Sequence, residues 1–281
     1  MRTAVVTDST AYIPEDIRKK YNIHMIPLSV VFENNETYKE EIEISASDFY
    51  EKMRNVSQLP TTTQPSTGMF VELFESLSNS YDAVISIHLS SGISGTFQGA
   101  VAAGEMVEGI KVYPFDSEIS CMIQGFYVIE AAKLALEGAE PEAIIARLED
   151  LKKSSDAYFM VDDLTNLQKG GRLSGAQAII GGLLQVKPIL HFVDKVIVPF
   201  EKIRTKKKAM KRISELLGEA LKSGEQYQAC IIHGNREEEA KEWKAELEDL
   251  YPNVEFTLSY FGPVIGTHLG EGAFGLGWVK K

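Results

Sequence analysis

The chain has little cysteine and no apolar segment long enough to span a membrane. Its 281 residues include two cysteines, Cys121 and Cys230. They lie far apart inside apolar runs, which favours two buried small side chains over a disulfide or a metal pair. The first residues, MRTAVVTDST, have neither the basic region nor the long apolar region of a signal peptide. We therefore expect a cytoplasmic protein without a bound metal.

Net positive charge is also absent. The formal charge is −11 at pH 7, and an acidic surface repels both nucleic acids and anionic lipids. We therefore expect no nucleic-acid partner, and any anionic ligand must be held by local donors and cations. One basic run, Lys202 to Arg212, departs from this composition. A solvated helix start explains it as well as a docking patch for an acidic partner or a transient contact with a membrane.

The sequence has two halves with different patterns. In the first, the apolar runs TAVVTD, HMIPLSVVF, AVISIHL and KVYPFD alternate with helical stretches, as in a mainly parallel sheet covered by helices. From about Ser155, six strand-like runs and two helices follow, with short turns between several strands. We predict an α/β protein of two domains: residues 1–155 with a mainly parallel sheet, and residues 156–281 as an α+β domain with a largely antiparallel sheet. A cleft is expected between them.

The segment TTTQPS, residues 61–66, carries more hydroxyl groups than a connection needs. It precedes a helical stretch, GMFVELFESL, so Ser66 or Thr67 is a natural helix cap. Capping leaves Thr61, Thr62 and Thr63 unexplained. Pro65 favours an extended approach that would hold these hydroxyls in place for a ligand.

A second polar segment, SSGISGT, joins the end of a predicted strand to the start of a helix at residues 90–96. α/β proteins commonly bind ligands at this position, and a helix start offers unpaired N–H groups. It is not a Walker loop, because no lysine follows the second glycine, and Gly95 directly after Ser94 rules out a G-x-S-x-G elbow. Taken alone, an anion site and a plain cap with turn glycines are equally well supported.

A third polar segment near the end places His268 and Thr267 among glycines. Such a histidine is a candidate partner for a carboxylate or a phosphate. Asp8, Ser9 and Thr10, after the first predicted strand, either border the site or cap the helix that follows. We interpret the remaining histidines as packing residues: His24, His88, His191 and His233.

Taken in order, VVTDST, TTTQPS, LSSGISGT, KGGRL and GPVIGTHLGEGAFG resemble the DegV family of bacterial fatty-acid-binding proteins over nearly the whole chain. The resemblance implies a two-domain fold that encloses a long-chain fatty acid such as palmitate, with the carboxylate near the interdomain surface. It also implies that a separate ATP-binding fatty acid kinase phosphorylates this carboxylate. The chain itself would then be a carrier with no catalytic residue and no cofactor.

The resemblance also assigns roles to residues. Thr62 and Ser94 match the family's carboxylate-binding hydroxyls, and His268 lies in the matching Thr-His motif. Arg172 and Arg204 match positions linked to the encounter with the kinase. Position 63 is threonine where the family more often has serine, which keeps a hydroxyl. The supporting residues of the expected pocket are Thr61, Thr63, Gly95, Thr96 and Thr267.

Two other functions stay open from the residues alone. A serine-type acyl hydrolase would use Ser94, His268 and an acid such as Asp116, and it requires a histidine within hydrogen-bond reach of the serine. A binding protein for a small phosphorylated metabolite would use the same loops around a short polar pocket. The apolar segment 175–186 suits a tunnel wall or lid, and a packed core helix is the simpler alternative.

Overall fold

The computed structural model of the chain describes residues 1–174 and 187–281. The segment 175–186, interpreted above as a wall, lid or core helix, lies outside the described residues. Within the described part, no helix combines the length and the apolarity that a membrane crossing needs. Both cysteines are buried and free, as predicted.

A parallel sheet forms the first part of the molecule. Its strands, β1 (Thr3–Asp8), β2 (Ile23–Ile26), β6 (Ala83–His88) and β7 (Lys111–Asp116), lie in the order β2-β1-β6-β7. Every residue of β1 and β6 is buried, because helices cover both faces of the sheet. Such strands read as continuous apolar runs, which is why the sequence identifies them.

Five of the helices follow the predicted stretches, and two were not predicted. Phe70 and Phe74 cover one face of the parallel sheet together with Ala100 and Ala103, while Ile123 lies in the core on the other face. Ser66 caps the helix Thr67–Ser78, because its hydroxyl accepts the N–H of Met69 at 3.3 Å. The two additional helices begin at Pro141 and at Thr165. The helices are α1 (Glu15–Lys20), α2 (Ala46–Met53), α3 (Thr67–Ser78), α4 (Thr96–Met106), α5 (Cys121–Leu136), α6 (Pro141–Lys153) and α7 (Thr165–Lys169).

A small antiparallel sheet was not predicted. Its strands β3 (Ser29–Val31), β4 (Thr37–Lys39) and β5 (Thr61–Thr63) lie in the order β4-β3-β5. The run HMIPLSVVF therefore divides into β2 and β3, because Pro27 between them has no N–H to continue a ladder. The interpretation of the three threonines as a loop is wrong, since they form an edge strand.

The second main sheet has six strands and is mostly antiparallel. Its order is β10-β9-β8-β13-β11-β12, and β11 and β12 form its parallel pair. The predicted α/β fold, with a parallel sheet first and a mainly antiparallel sheet second, is confirmed. The division into domains at residue 155 stays a prediction. The strands are β8 (Asp156–Met160), β9 (Lys187–Val193), β10 (Val196–Ile203), β11 (Tyr227–His233), β12 (Glu255–Tyr260) and β13 (Phe274–Lys280).

Helices α8 (Lys206–Leu221) and α9 (Glu237–Leu250) cover one face of the six-stranded sheet, through residues such as Leu217 and Trp243. The other face packs against α5 in the same core as the parallel sheet. Between β12 and β13 a short helix, α10 (Pro263–Leu269), was missed by the sequence analysis. Its proline stands at the first helical position, which is favourable for a helix start.

Candidate functional site

A cavity with a mostly apolar lining lies between the two main sheets. It encloses about 920 Å³ of space, its open mouth included. We call it the main cavity. Ile123 of α5 and Gly277 of β13 meet at its wall, where a Cβ on Gly277 would lie 2.6 Å from the isoleucine side chain. The apolar lining includes Leu28, Leu89, Ile93, Ile119, Phe159, Phe192, Ile197, Ile232, Phe261, Val264, Ile265 and Leu269.

Polar side chains collect at one part of this lining. Thr62, Ser94, Arg172 and His268 all line the main cavity, and we call these four residues the polar cluster. They come from β5, from the loop before α4, from the segment after α7 and from α10. Segments distant in sequence thus bring two hydroxyls, an imidazole and a guanidinium to one place.

Strand geometry selects Thr62 from the three consecutive threonines. Side chains alternate along a strand, so Thr62 faces one way and its neighbours the other. Thr61 and Thr63 are exposed, whereas Thr62 is partly buried and its hydroxyl lies 2.9 Å from Nε2 of His268. Thr63 does not line the main cavity.

Ser94 lies in the loop between β6 and α4. Its hydroxyl accepts the N–H of Thr96 at 3.2 Å and lies 2.8 Å from the hydroxyl of that residue. Gly95 leaves room for the end of the Gln64 side chain, whose Oε1 would lie 2.2 Å from a Cβ at this position. Gln64 lines the main cavity and was missed as a site residue. Its place beside Thr62 in TTTQPS was the available signal.

His268 is a neutral, largely buried imidazole. Burial, followed by the positive charge of Arg172, lowers its pKa to about 4, because both disfavour the protonated form. Its Nδ1 is buried and has no hydrogen-bond partner among the described residues. A Cβ on Gly170 would lie 2.4 Å from this nitrogen, so the glycine lets α7 pass close to the ring.

Arg172 places a half-buried positive charge beside this histidine. Its guanidinium donates to the carbonyl oxygens of Ile93 at 3.2 Å and of Gly170 at 2.5 Å. Burial lowers its pKa, but a guanidinium stays protonated in proteins. No carboxylate of the described residues lies within ion-pair distance of it. Arg172 is therefore available to an anionic ligand.

A second, more polar space adjoins the polar cluster. It measures about 1100 Å³, its open part included, and shares Thr62, Arg172 and His268 with the main cavity. We call it the adjoining cleft. Lys169 and Thr61 also line it. The polar cluster thus separates an apolar cavity from a polar cleft.

The remaining predicted residues lie outside the polar cluster. Thr96 is fully buried beside Ser94. Thr267 is buried, its hydroxyl donates to the carbonyl of Pro263 at 2.8 Å, and it borders the adjoining cleft. Arg204 is exposed between β10 and α8 and lines neither space.

The three residues considered for a hydrolase do not form one hydrogen-bonded set. Ser94 bonds to Thr96 and His268 to Thr62, while the carboxylate of Asp116 accepts the hydroxyl of Ser91 at 2.5 Å. Within the described ranges, no group of acidic, histidine and cysteine side chains has the arrangement of a metal site.

A different Ser-His-Asp set lies in the core. The hydroxyl of Ser86 is 2.7 Å from Nε2 of His88, whose Nδ1 is 3.0 Å from Asp8. All three side chains are fully buried, so no substrate reaches them. Asp8 also accepts the N–H groups of Thr10 and Leu89. The set joins the ends of β1 and β6, which supports the capping interpretation of Asp8 and the structural interpretation of His88.

Comparison with known proteins gives consistent matches over the full length. A family model described as "Uncharacterised protein, DegV family" matches residues 2–281. Protein DegV of Bacillus subtilis (strain 168) is 63% identical over 282 residues, with 100% of both chains covered. The crystal structure of DegV from Bacillus subtilis, described as a fatty acid binding protein, has a TM-score of 0.95 at 62% identity, and 100% of each chain is covered.

A more distant structure agrees. A DegV family protein from Thermus thermophilus, whose structure is described by its fatty acid binding, has a TM-score of 0.93 at 30% identity, with 100% of both chains covered.

Proposed function

Because this chain belongs to the DegV family, we propose that it binds a long-chain fatty acid, such as palmitate, in the main cavity. The carboxylate would lie at the polar cluster, and a separate ATP-dependent fatty acid kinase would phosphorylate it there to an acyl phosphate. In this proposal the chain is a carrier, and the phosphoryl-transfer catalysis belongs to the kinase.

The observation that carries the proposal is the composition of the main cavity. A mostly apolar space, about 920 Å³ with its open mouth included, has hydroxyls, an imidazole and a guanidinium together at one part of its wall. This matches a ligand with a long apolar chain and one anionic end. A sugar phosphate would leave its hydroxyl groups unpaired against Leu28, Phe159 and similar side chains. The cavity therefore supports a fatty acid over a small phosphorylated metabolite.

Burial of the chain supplies the main part of the binding energy. Each buried methylene contributes about 0.8 kcal/mol, so roughly fourteen methylenes contribute on the order of 10 kcal/mol before entropic losses. A hydrogen bond to a charged group contributes about 1.5 to 3 kcal/mol. The apolar wall would hold the ligand, and the polar cluster would fix where its carboxylate lies.

The polar cluster suits a carboxylate that later reacts. The hydroxyls of Thr62 and Ser94 donate hydrogen bonds, and Arg172 offsets the negative charge. Because the pKa of His268 is lowered to about 4, its imidazole stays uncharged near pH 7. The carboxylate oxygen is itself the nucleophile, so the carrier needs to hold it in place and leave it accessible from the adjoining cleft.

The proposal is tested by identifying the ligand. Freshly purified protein from more than one expression host is denatured and extracted, and the extract is analysed by mass spectrometry. We expect a long-chain fatty acid at close to one molecule per chain. Recovery of a sugar phosphate or a nucleotide instead would reject the proposal.

The kinase step needs its own test. Protein loaded with palmitate, a fatty acid kinase and ATP should together yield an acyl phosphate, while the protein alone should neither consume ATP nor cleave acyl esters. Ester hydrolysis by the isolated protein that disappears in Ser94→Ala would support a hydrolase instead.

A further inference from the structure

A fully buried carboxyl group lies outside the polar cluster and has no part in the proposed function. Glu40 has no exposed surface. Its Oε1 lies 2.8 Å from the hydroxyl oxygen of Ser9, and its Oε2 accepts the hydroxyl of Tyr12 at 2.9 Å and the backbone N–H of Val264 at 2.6 Å. Placing a carboxyl group in a protein core is costly unless its partners are fixed.

These contacts all meet the start of α10. The first N–H groups of a helix have no partner within the helix. In α10, Glu40 accepts the N–H of Val264, and the Tyr12 hydroxyl accepts the N–H of Ile265 at 3.3 Å. Two side chains from the first half of the sequence thus hold the first turn of the helix whose other end carries His268.

The backbone around this contact is under local strain. Tyr12 has a left-handed conformation with φ of 46°, and Glu41 has φ of 65°, which bulky or branched residues rarely adopt. The ring of Tyr12 also requires glycine at position 262, because a Cβ there would lie 2.3 Å from it. Strain of this kind persists when surrounding contacts determine the geometry, and it is often found near functional sites.

We propose that Glu40 is a positioning residue for the polar cluster: through the N–H of Val264 and through Tyr12 it fixes α10, and thereby holds the His268 imidazole against Thr62. The role of that contact in ligand binding rests on the proposed function, but the positioning itself does not. α10 has seven residues, about two turns, so a displacement of its first turn is transmitted to position 268.

The charge state of Glu40 is consistent with this role. Burial raises its pKa to about 8, with a smaller contribution in the same direction from Glu41, although hydrogen bonds from Val264, Ser9 and Tyr12 lower it. At neutral pH the group is therefore mainly an uncharged acid. Tyr12 and Val264 both donate to Oε2, so the acid proton lies on Oε1, in the 2.8 Å contact with the Ser9 oxygen, which also accepts the N–H of Leu28. The thiol of Cys121 and the phenol of Tyr50, which also face this region, have pKa values raised by burial and stay neutral. Glutamine is thus its closest substitute in charge and size.

The test observes His268 directly. Delipidated protein with labelled histidines is studied by NMR from about pH 6 to about pH 8, and the His268 signals are assigned with His268→Asn. In the wild type, burial keeps the ring neutral across this range. In Glu40→Ala, release of α10 should hydrate the ring, and its titration midpoint should rise toward the ordinary value of 6.5 and enter the range. Glu40→Gln should retain the wild-type behaviour in large part.

Two further variants sharpen the result. Tyr12→Phe removes the hydroxyl that joins Glu40 to the N–H of Ile265, so it should shift the His268 titration in the same direction and by less. Tyr251→Phe is the matched control, because its hydroxyl donates to the carbonyl of Ser214 in α8 and touches neither Glu40 nor Glu41 nor α10; His268 should titrate as in the wild type.

Unchanged His268 signals in folded Glu40→Ala and in Tyr12→Phe would overturn the proposal. If Glu40→Ala does not fold, Tyr12→Phe decides. This experiment uses no ligand, so a protein that proves to carry no fatty acid would reject the proposed function while the His268 measurement still tests the positioning role.

Discussion

At the scale of single residues, the polar cluster and the apolar wall are expected to do different work. A hydroxyl of the polar cluster can lose its hydrogen bond while the acyl chain stays buried, because the chain supplies the larger share of the free energy. Positioning is less tolerant, since a misplacement of the reacting atom by about 1 Å can lower a rate about a hundredfold.

Ser94→Ala and Thr62→Val should therefore lower the rate of acyl phosphate formation more than they lower the affinity for palmitate. We expect the affinity to fall by about one to two orders of magnitude at most. Calorimetry of delipidated protein gives the affinity, and a kinase assay gives the rate. Thr63→Val is the matched control, because its exposed hydroxyl lies on the same strand but outside the main cavity. If the variants lost palmitate binding while the protein that still held palmitate reacted at the wild-type rate, the polar cluster would supply affinity and not positioning.

Glu40 should make stability depend on pH. Its pKa is raised from 4.5 to about 8 in the folded protein, so between these values the folded state binds more protons than the unfolded state. The free energy of unfolding therefore falls as the pH rises through this window, by at most about 1.4 kcal/mol per pH unit for one group.

Glu40→Gln removes this contribution. The advantage of the wild type over Glu40→Gln in urea unfolding should be largest near pH 5 and should shrink as the pH approaches 8. Glu246→Gln, which removes an exposed carboxylate, should show no such trend. A difference between the wild type and Glu40→Gln that stays constant from pH 5 to pH 8 would mean that Glu40 is ionised in the folded protein across this range.

At the scale of elements, the site depends on the close approach of α7 and α10. Gly170 follows α7 and has a φ of −72°, which any residue can adopt, so its role lies in the space it leaves for Nδ1 of His268.

Gly170→Ala should displace the imidazole, because the added Cβ would lie 2.4 Å from Nδ1. We expect the NMR signals of His268 to shift and the rate of acyl phosphate formation to fall, with the protein still folded. Gly68→Ala is the matched control: it lies in α3, and the nearest atom to its added Cβ is 3.9 Å away. A wild-type rate in Gly170→Ala would show that the contact between α7 and His268 is not needed.

At the scale of the whole molecule, the main cavity joins the two sheets, so its ligand should hold them together. A ligand that binds the folded state stabilises it by RT ln(1 + [L]/Kd), about 4 kcal/mol when its concentration is a thousand times Kd.

Delipidated protein should therefore unfold at a lower temperature than the purified form, and added palmitate should restore the higher unfolding temperature. Calorimetry over a palmitate titration measures the effect. Acetate, which has the carboxylate but no chain, should give no comparable shift. Equal stabilisation by acetate would mean that the polar cluster, not the apolar wall, supplies the binding energy.

The surface basic residues set a second expectation at this scale. Arg204 is exposed, lines neither space and lies within the basic run Lys202 to Arg212. Arg204→Glu should lower the rate with the kinase and leave the bound fatty acid in place, because it changes only charge on the surface. Arg172→Glu should disturb both, since Arg172 lines the main cavity. An unchanged kinase rate in Arg204→Glu would remove this residue from the docking surface.

Much of the fold follows from the sequence because burial imposes a pattern on each element. β1 and β6, buried on both faces, are continuous apolar runs, and α8 and α9 repeat apolar residues at helical spacing. Each of these signals lies within its own segment. The family resemblance adds the order of the motifs, and with it the assignment of Thr62, Ser94 and His268.

The short elements and the contacts between segments were decided by the tertiary structure. β5 and α10 are too short for a local pattern, and only their partners make Thr61–Thr63 a strand and Pro263–Leu269 a helix. The same holds for Glu40, which lies in a run of acidic residues that suggests an exposed turn, KEEIE. Its burial exists because residues from two distant segments, Ser9 and Tyr12 near the start and Val264 near the end, close around it. No local propensity records contacts between residues so far apart in the chain.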